Sequence, residues 1–328
     1  MRSIVLSGNT KRILLTGATG FIGHHLTNQL VEGGRYEIKV VSRQPDVHFH
    51  KNIETVCIDK IGPNTQWGDI VQDIDVVVHA AARAHVMHDT SRNPLFEFRR
   101  VNVEGTLNLA RQAFRSGVKR FVYLSSIGVN GNVSIQPFSE LDIPKPIGPY
   151  AISKLEAEQE LQLLSEMSSI ELVIIRPPLV YGPNSPGNFR RLLHWLNSGI
   201  PLPLGAINNK RSLVALDNLV DFIITCIEHP AAANEVFLIS DGEDLSTTEL
   251  LRRTAIALDK PARLLPVPQG LLEFSLKLLG KRNLAQQLCG TLQVDIKKAR
   301  EKLDWKPKMS IDEELCKTAH AFIESIKK

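Results

Sequence analysis

The sequence predicts an α/β protein built on a doubly wound, mainly parallel β-sheet. In the first half of its 328 residues, short and almost wholly apolar segments alternate with longer helical ones. Strands of that kind are buried on both faces, which requires helices on each side of a parallel sheet. A glycine-rich turn at Gly17–Gly23, between the first strand and the first helix, is the second indication. Together they favour a fold that binds a ligand at the carboxyl edge of its sheet.

The elements follow one another in a regular order. Six strands are predicted over residues 12–16, 37–42, 53–58, 75–79, 120–125 and 171–176. Helices are predicted between them over 21–31, 95–116 and 150–167, and Gly33 and Gly34 end the first. Beyond Arg176 the pattern changes, because six prolines before residue 204 favour loops. Helices are predicted again over 188–197, 217–228, 247–258 and 271–279.

This change in pattern predicts the domain organisation. Residues 1–10 are expected to be an N-terminal extension, and residues 11–176 a nucleotide-binding domain of the Rossmann type. Residues 177–328 are expected to form a smaller α/β domain that mainly binds substrate. Ligands of doubly wound sheets lie outside the carboxyl ends of the strands, so a second domain facing that edge is well placed to hold them.

Composition excludes several classes of protein. The net charge of +4 suits an anionic substrate but is too small to indicate a nucleic-acid partner. No apolar run reaches the ~18 residues that a membrane span needs, and the first ten residues do not resemble a signal peptide. The four cysteines are scattered, which predicts reduced thiols, no metal site and a cytoplasmic location.

The glycine-rich turn indicates a dinucleotide. Gly17 permits a tight turn, Gly20 lets the backbone approach a diphosphate, and Gly23 lets the helix pack closely on the sheet. The helix N-terminus then attracts the diphosphate. The alternative is a capping loop that holds no ligand.

Residues at the ends of the second and third strands bear on the choice of cofactor. Ser42 and Arg43 end the second strand, where an acidic residue would bind the ribose of NAD and an arginine pairs with a 2′-phosphate. NADP(H) is therefore favoured, with NAD(H) as the alternative if Arg43 is only a solvated loop residue. Asp59, after the third strand, is assigned either to the adenine amino group or to capping the strand.

Three residues form the predicted catalytic set. Tyr150 and Lys154 lie four residues apart, hence on one helix face, where an ammonium is expected to lower the pKa of the phenol. Ser126 ends the fifth strand, 24 residues before Tyr150, and can hydrogen-bond the reacting oxygen. Tyr150 would transfer the proton. On its own, Ser126 would be assigned to a turn or a helix cap.

With these motifs the chain resembles the extended short-chain dehydrogenase/reductase family, from Lys11 onwards. The resemblance rests on the glycine turn, the three catalytic positions and five further segments: His79–Ala82, Asn102, Arg176–Gly182, Lys210–Asp217 and Val294–Asp295. It implies cofactor contacts from Thr19, Phe21, Ile22, Ala80, Ala81, Ala82, Asn102 and Pro177, as well as from Tyr150 and Lys154. It also implies a UDP-sugar substrate whose diphosphate meets Arg211 and Asn188 and whose base lies near Leu204, with Ser126 and Tyr150 at the sugar.

Within that family the residues next to Ser126 distinguish between the possible reactions. The 4,6-dehydratases carry an Asp-Glu pair there, whereas this chain has Ile127 and Gly128. The favoured hypothesis is an NAD(P)H-dependent 4-ketoreductase of a UDP-4-keto-6-deoxy-N-acetylhexosamine, in the synthesis of bacterial surface polysaccharide such as the O-antigen of lipopolysaccharide. One alternative is a UDP-hexose 4-epimerase acting on UDP-glucose and UDP-galactose or their N-acetyl forms, with tightly bound NAD. A second is a non-catalytic NADP-binding sensor. The resemblance also implies a homodimer formed through the helices over 95–116 and 150–167.

Overall fold

The chain folds around one large sheet and one small one. A computed structural model of the protein describes residues 10–45, 47, 49, 53–84, 91 and 93–327. Most of the predicted extension, residues 1–9, lies outside them. The strands are β1 Lys11–Thr16, β2 Tyr36–Ser42, β3 Ile53–Cys57, β4 Val76–His79, β5 Arg120–Leu124, β6 Glu171–Arg176, β7 Leu179–Tyr181, β8 Arg211–Ala215, β9 Glu235–Leu238 and β10 Asp244–Leu245.

Helices cover the sheets and make up most of the C-terminal half. They are α1 Phe21–Gly33, α2 Gly68–Val71, α3 Pro94–Arg99, α4 Thr106–Arg115, α5 Pro149–Glu166, α6 Gly187–Ser198, α7 Leu216–Glu228, α8 Thr247–Ala257, α9 Gln269–Leu278, α10 Arg282–Cys289, α11 Lys297–Leu303 and α12 Ile311–Lys327. None of the helices in the described part of the chain has both the length and the apolar character needed to cross a bilayer.

The large sheet confirms the predicted fold class. Its seven strands are all parallel and run in the order β3-β2-β1-β4-β5-β6-β9. The order reverses direction between β1 and β4, and such a switch point opens a crevice at the carboxyl ends of the two strands. The turn that follows β1 is the predicted glycine-rich turn, so the sequence motif lies at the crevice.

Both faces of this sheet are covered except at its edge strand β3, where Glu54, Thr55 and Cys57 are exposed. One face packs against α1 and α7, with Leu26, Leu30 and Phe222 in its core. The opposite face packs against α2, α4 and α5, around Trp67, Leu109 and Leu161. The helices therefore fix the sheet from both sides, and the carboxyl ends of its strands carry the loops that form the site.

The C-terminal half builds a second core and also returns to the first. The small sheet has the order β10-β8-β7 and belongs with α6, α8 and α12, whose apolar side chains form a separate cluster. In contrast, α7 packs on the large sheet and β9 pairs in parallel with β6. Residues on both sides of position 176 thus share one core, and the domain division near that residue stays a prediction.

Two features of the fold differ from the sequence-based expectation. The single helix expected over residues 95–116 is interrupted by a π-helical segment, Arg100–Gly105. A Cβ on Gly105 would lie 2.9 Å from Ile61 Cγ2, so this segment packs unusually closely on the preceding loop. Strands β7 to β10 and helices α2 and α10 to α12 are not predicted from the sequence. Strands β7 and β10, of three and two residues, are too short to show a periodic pattern.

Helix α12 carries a buried carboxylate, and its ionisation should limit stability above neutral pH. Glu314 is fully buried, and its two oxygens have no hydrogen-bond partner among the described residues. Burial, reinforced by the Asp217 and Asp241 carboxylates against Lys317 and His25, raises its pKa to about 7. A carboxyl group whose folded-state pKa is raised stabilises the fold below its unfolded pKa of ~4.3, and that contribution is lost as the pH rises towards 7.

Replacing Glu314 by Gln removes that ionisation. The free energy of unfolding at pH 8 should rise by up to roughly 3 kcal/mol, with little change near pH 4. Urea unfolding at both pH values measures this, and Glu324→Gln, at an exposed position on the same helix, is the control. Equal destabilisation by Glu314→Gln at both pH values would show that ionisation of this carboxylate does not lower the free energy of unfolding at pH 8.

Candidate active site

The turn after β1 has room only for glycine at its two ends. Gly17 has φ +78°, and a Cβ there would lie 2.7 Å from the Ala81 nitrogen. A Cβ on Gly23 would lie 2.1 Å from the Gly17 carbonyl oxygen. Helix α1 begins immediately afterwards, and no side chain of the described residues caps its N-terminus, which leaves backbone N–H groups available to an anion. This geometry fits the diphosphate of a dinucleotide.

A buried histidine joins the two strands of the switch point. His79 ends β4, and its Nδ1 lies 2.7 Å from Thr16 Oγ1 while its Nε2 lies 2.9 Å from Thr106 Oγ1. Burial, helped by the nearby Lys154 ammonium, lowers the pKa of His79 to about 3, so the imidazole is neutral. Thr16 immediately precedes Gly17, and His79 thereby fixes the glycine turn against α4. In the sequence, His79 stands out only as part of a motif.

The predicted cofactor residues near this crevice differ in how far their side chains are exposed to solvent. Ser42 is buried and closes a local turn, because its hydroxyl donates to the Gln44 carbonyl oxygen and accepts from the Gln44 N–H. Arg43 and Asp59, by contrast, are exposed. Thr19 is exposed in the glycine turn, whereas Phe21 and Ile22 are half-buried at the start of α1. Every one of them is at the carboxyl side of β1, β2 or β3.

Asn102 secures the loop after β4. It lies in the π-helical segment, and its side chain accepts from the Arg83 N–H at 2.8 Å and donates to the Arg83 carbonyl at 3.1 Å. It also donates to Ser153 Oγ on α5. The half-buried Ala80, Ala81 and Ala82 are thus fixed beside the glycine turn. In this arrangement Asn102 shapes the cofactor crevice through the backbone. Two further histidines that follow β4 in the sequence, His85 and His88, lie outside the described residues.

Ser126 and Tyr150 are brought together by a short turn. Ser126 caps the 3₁₀ turn Ile127–Val129, where its Oγ accepts from the Gly128 N–H at 3.1 Å. A Cβ on Gly128 would lie 3.4 Å from both Ser126 Oγ and the Ala151 Cβ, so the turn rests on the first turn of α5. Tyr150 lies next to Ala151 and meets the Phe98 ring edge-on at 6.2 Å. Ser126 therefore caps a turn and also lies next to α5, the helix that carries Tyr150 and Lys154.

Lys154 is held differently from the sequence-based expectation. Its side chain is almost fully buried, and Nζ donates to the Leu124 carbonyl at 2.7 Å and to the Tyr123 hydroxyl at 3.2 Å. Burial lowers the pKa of Lys154 to about 7. Burial also raises the pKa of Tyr150 to about 12. The predicted lowering of the Tyr150 pKa is thus not found in this arrangement, because desolvation dominates and the ammonium points to Tyr123.

Tyr123 should control the charge of Lys154. Its ring lies 4.4 Å below the ammonium and its hydroxyl accepts from it, so both groups favour the charged lysine. Tyr123→Phe retains the ring and loses the hydroxyl. We expect the pKa of Lys154 to fall further, which would move the alkaline limb of the turnover profile down by about one pH unit.

A pH–rate profile of purified Tyr123→Phe measures this effect, with Tyr181→Phe as the matched control. Tyr181 is an equally buried tyrosine whose hydroxyl bonds Asp241 at 2.9 Å. Its loss should leave the profile unmoved. An unshifted profile in Tyr123→Phe would mean that its hydroxyl does not support the charged lysine.

A buried ion pair joins α5, the helix that carries Tyr150 and Lys154, to strand β6. Glu158, one turn beyond Lys154, pairs with Arg176 at the end of β6, and the Nη2–Oε2 distance is 2.5 Å. Nε also donates to Glu158, at 3.0 Å, and Nη1 donates to Asn130 Oδ1 at 3.0 Å, just beyond the serine turn. Residues Asn130, Glu158 and Arg176 are at most 5% exposed. Sequence spacing could not reveal this pair, because its members lie on different elements.

Pro177, a predicted cofactor contact, is buried, and its carbonyl accepts from the Ile127 N–H next to the serine turn. The predicted substrate residues Asn188, Leu204 and Arg211 lie in the C-terminal half of the chain. Arg211 begins β8 and donates to the Gly290 carbonyl at 3.2 Å, while Asn188, at the start of α6, donates to Gln287 on α10. Leu204 is buried in the second core, so its side chain has a packing role. Its assignment to the base stays a prediction.

Comparison with known proteins places this arrangement among enzymes of nucleotide sugars. Residues 13–240 match the family described as the NAD dependent epimerase/dehydratase family. A UDP-glucose 4-epimerase of Vibrio cholerae is 47% identical over 323 residues, 96% of each chain. A second relative, 29% identical over 87% of this chain and 88% of its own, is the N-acetyl-α-D-glucosaminyl-diphospho-ditrans,octacis-undecaprenol 4-epimerase of Escherichia coli O157:H7.

Solved structures share the fold over nearly the whole chain. A UDP-glucose 4-epimerase of Thermotoga maritima, determined with UDP-glucose, superposes with a TM-score of 0.75 at 26% identity. The match covers 96% of this chain and 99% of that one. A UDP-glucuronic acid 4-epimerase of Bacillus cereus in complex with NAD gives a TM-score of 0.79 at 22% identity over 96% and 98% of the two chains, which supports the fold alone.

Proposed function

Because the chain belongs to the NAD dependent epimerase/dehydratase family, an extended short-chain dehydrogenase/reductase group, we propose that it is a UDP-hexose 4-epimerase. Its substrates would be UDP-glucose and UDP-galactose or their N-acetyl forms. The observation that carries this proposal is the 47% identity to the Vibrio cholerae UDP-glucose 4-epimerase over nearly the full length of both chains. The proposal therefore replaces the 4-ketoreductase as the favoured function.

The residues around Ser126 support epimerisation over dehydration. Elimination of water from a sugar needs an additional acid and base, and Ile127 and Gly128 beside the serine provide neither. Epimerisation at C4 needs one group that removes the proton of the 4-hydroxyl and later returns it. Tyr150 is assigned that role, and Ser126 would orient the same oxygen by a hydrogen bond.

Lys154 would supply the positive charge that Tyr150 needs. A phenol with a pKa near 12 is a poor base at neutral pH, and a nearby ammonium favours the phenolate. Lys154 lies one helical turn from Tyr150, so a change of side-chain rotamer would move its charge from Tyr123 towards the reacting phenol. Arg211 and Asn188 would hold the diphosphate and fix the distance of the sugar from Tyr150.

The crevice fits a nicotinamide dinucleotide, since Gly17 and Gly23 let the turn fold tightly and the N-terminus of α1 has no side-chain cap among the described residues. A bound NAD would supply a reversible hydride acceptor for C4, so that a keto sugar turned to present its other face could be reduced to the 4-epimer. In this proposal the cofactor is retained, because each turnover regenerates it. The described residues contain no group of three or more potential metal ligands.

A 4-ketoreductase of a UDP-4-keto-6-deoxy-N-acetylhexosamine is the second candidate, and Arg43 is the observation that favours it. This exposed arginine follows β2 directly, where a guanidinium would pair with the 2′-phosphate of NADP(H). A reductase would exchange its cofactor at each turnover. Under either function the enzyme would serve the synthesis of surface-polysaccharide sugars in the cytoplasm, and the homodimer through α4 and α5 stays a prediction for sedimentation analysis.

One experiment separates the two candidates. The purified protein is denatured, any released nucleotide is identified, and fresh protein is incubated with UDP-glucose or UDP-N-acetylglucosamine without added cofactor. Released NAD together with formation of the 4-epimer is the result expected. Stoichiometric loss of added NADPH on a UDP-4-keto-6-deoxy-N-acetylhexosamine, without epimer formation, would instead establish the reductase.

An Arg43→Ala variant adds a readout specific to the cofactor. If the protein uses NAD, the variant should retain its nucleotide and its turnover, because an exposed arginine contributes little to NAD. If Arg43 binds a 2′-phosphate, affinity for NADPH should fall by roughly 10-fold or more while affinity for NADH is unchanged. Titration of both reduced nucleotides by fluorescence measures this difference.

A further inference from the structure

Helix α9 presents apolar side chains to the surface as well as to the core. Leu272 is buried in the second core and Leu276 packs against it. On the opposite side Leu271, Phe274 and Leu278 are 57%, 61% and 73% exposed. A helix that is apolar on both sides is normally covered on both sides. Three large side chains in one stripe, at positions i, i+3 and i+7, form a continuous apolar face that requires a partner.

The surroundings of this stripe are cationic. Over residues 259–284 the chain carries five lysines and arginines against two acidic residues. One of these acids, Glu273, is already paired with Lys277 at 3.6 Å. Lys281 and Arg282, which follow α9 where α10 begins, are exposed and make no ion pair with any residue the structure describes. The apolar stripe is thus bordered by unneutralised positive charge.

This helix is connected directly to the predicted substrate cleft. Gln269, at the start of α9, donates to the Cys289 carbonyl at the end of α10. The next residue of that segment, Gly290, accepts from Arg211, and Gln287 on α10 accepts from Asn188. The α9–α10 pair therefore contacts the residues assigned to the diphosphate on one side and carries the apolar stripe on another.

We propose that α9 is a membrane-docking helix that binds the surface of an anionic lipid bilayer. Interfacial helices insert an apolar face to a depth of ~5–10 Å and place lysine and arginine at the level of the headgroups. Leu271, Phe274 and Leu278 supply such a face, and Lys281 and Arg282 supply the cations. The mouth of the cleft would then lie beside the lipid surface. This inference concerns a binding surface and does not depend on which sugar the enzyme uses.

Charge favours lipid over a second copy of the chain. Two copies joined through α9 would bring together two segments, residues 259–284, that each carry five lysines and arginines against two acidic residues, and like net charge at an interface opposes association. An anionic bilayer would instead neutralise Lys281 and Arg282. The described chain has no membrane-crossing helix, so docking would be peripheral and sensitive to salt.

Sedimentation with lipid vesicles tests the proposal. The full-length protein should pellet with vesicles containing phosphatidylglycerol and much less with pure phosphatidylcholine. A Leu271→Ser/Phe274→Ser/Leu278→Ser variant should bind at least ~10-fold less, since each exposed apolar side chain contributes to insertion. Lys281→Ala/Arg282→Ala should lose roughly fivefold per cation on anionic vesicles only. Met167→Ser, which removes a comparably exposed apolar residue on another face, is the control.

Two further readouts keep the result unambiguous. Cooperative urea unfolding and turnover of a soluble UDP-sugar show whether each variant is folded, and they report on the proposed function separately from docking. If the triple variant does not fold, Phe274→Trp replaces it, and the emission of the introduced indole should shift to the blue on adding anionic vesicles. Wild-type protein that stays in the supernatant, an unshifted emission spectrum of the Phe274→Trp variant, or a triple variant that only dissociates an oligomer would each overturn the proposal.

Discussion

Replacing Tyr150 with Phe should lower turnover by roughly 10²–10⁴-fold, the contribution typical of a positioned acid or base. The substitution removes one hydroxyl and retains the ring that meets Phe98 edge-on. Backbone contacts at this position remain, including the Ser153 hydroxyl bond to the Tyr150 carbonyl at 2.8 Å. The loss should therefore appear in the maximal rate, with the nucleotide still bound at wild-type stoichiometry.

The matched control for this prediction is Tyr181→Phe. Tyr181 is fully buried in the second core, and its hydroxyl bonds Asp241, away from the serine turn. Its loss should cost a modest amount of stability, ~1 kcal/mol, and leave turnover within a few-fold of wild type. Near-normal activity in Tyr150→Phe would show that another group moves the proton, and Ser126 would be examined next.

The second large effect is expected at the buried pair of Arg176 and Glu158. Arg176→Met leaves the Glu158 carboxylate buried without its main partner and also frees the Asn130 amide oxygen. Removal of one member of such a pair costs about 3–5 kcal/mol, because the remaining charge is desolvated. Denaturant unfolding should show a loss of that size, and turnover should fall as well because Glu158 lies on the catalytic helix.

Two comparisons test whether a stranded buried charge causes this loss of stability: an exposed ion pair and a double variant. Arg12 pairs with Glu37 at the surface, where both side chains are about half exposed, so Arg12→Met should cost ~0–1 kcal/mol. Adding Glu158→Leu to Arg176→Met removes the stranded charge and should restore part of the loss. If Arg176→Met cost no more than Arg12→Met, the buried pair would not be a determinant of stability.

Local pattern is sufficient to predict the nucleotide-binding half of the fold. The mainly apolar strands, the glycine turn and the Gly33–Gly34 helix end each act through neighbouring residues, and the structure has all of them. The sequence does not indicate β9, although this strand is as long as the predicted β4. The small sheet is not predictable in this way either, because β7 and β10 contain only three and two residues. Such short segments are specified by the neighbours they pair with rather than by their own sequence.

The candidate site, like the fold, is only partly predictable from local sequence. Spacing along the chain indicates Ser126, Tyr150 and Lys154, and folding brings the serine turn onto the first turn of the catalytic helix. Spacing could not show that Lys154 reaches Tyr123 and Leu124, or that desolvation raises the pKa of Tyr150 to about 12. Those properties depend on burial and on residues from β5, so they follow only from the packed structure.

The position of β9 has a consequence for any attempt to isolate the nucleotide-binding half. A chain cut after Arg176 would lack β9, and the backbone of β6 would become an open sheet edge. It would also lack α7, whose Phe222 and Leu219 fill one face of the sheet. Such a fragment should aggregate rather than bind nucleotide, whereas a fragment ending after Leu238 would keep the edge covered. The smallest autonomous nucleotide-binding unit is thus set by the last strand to join the sheet.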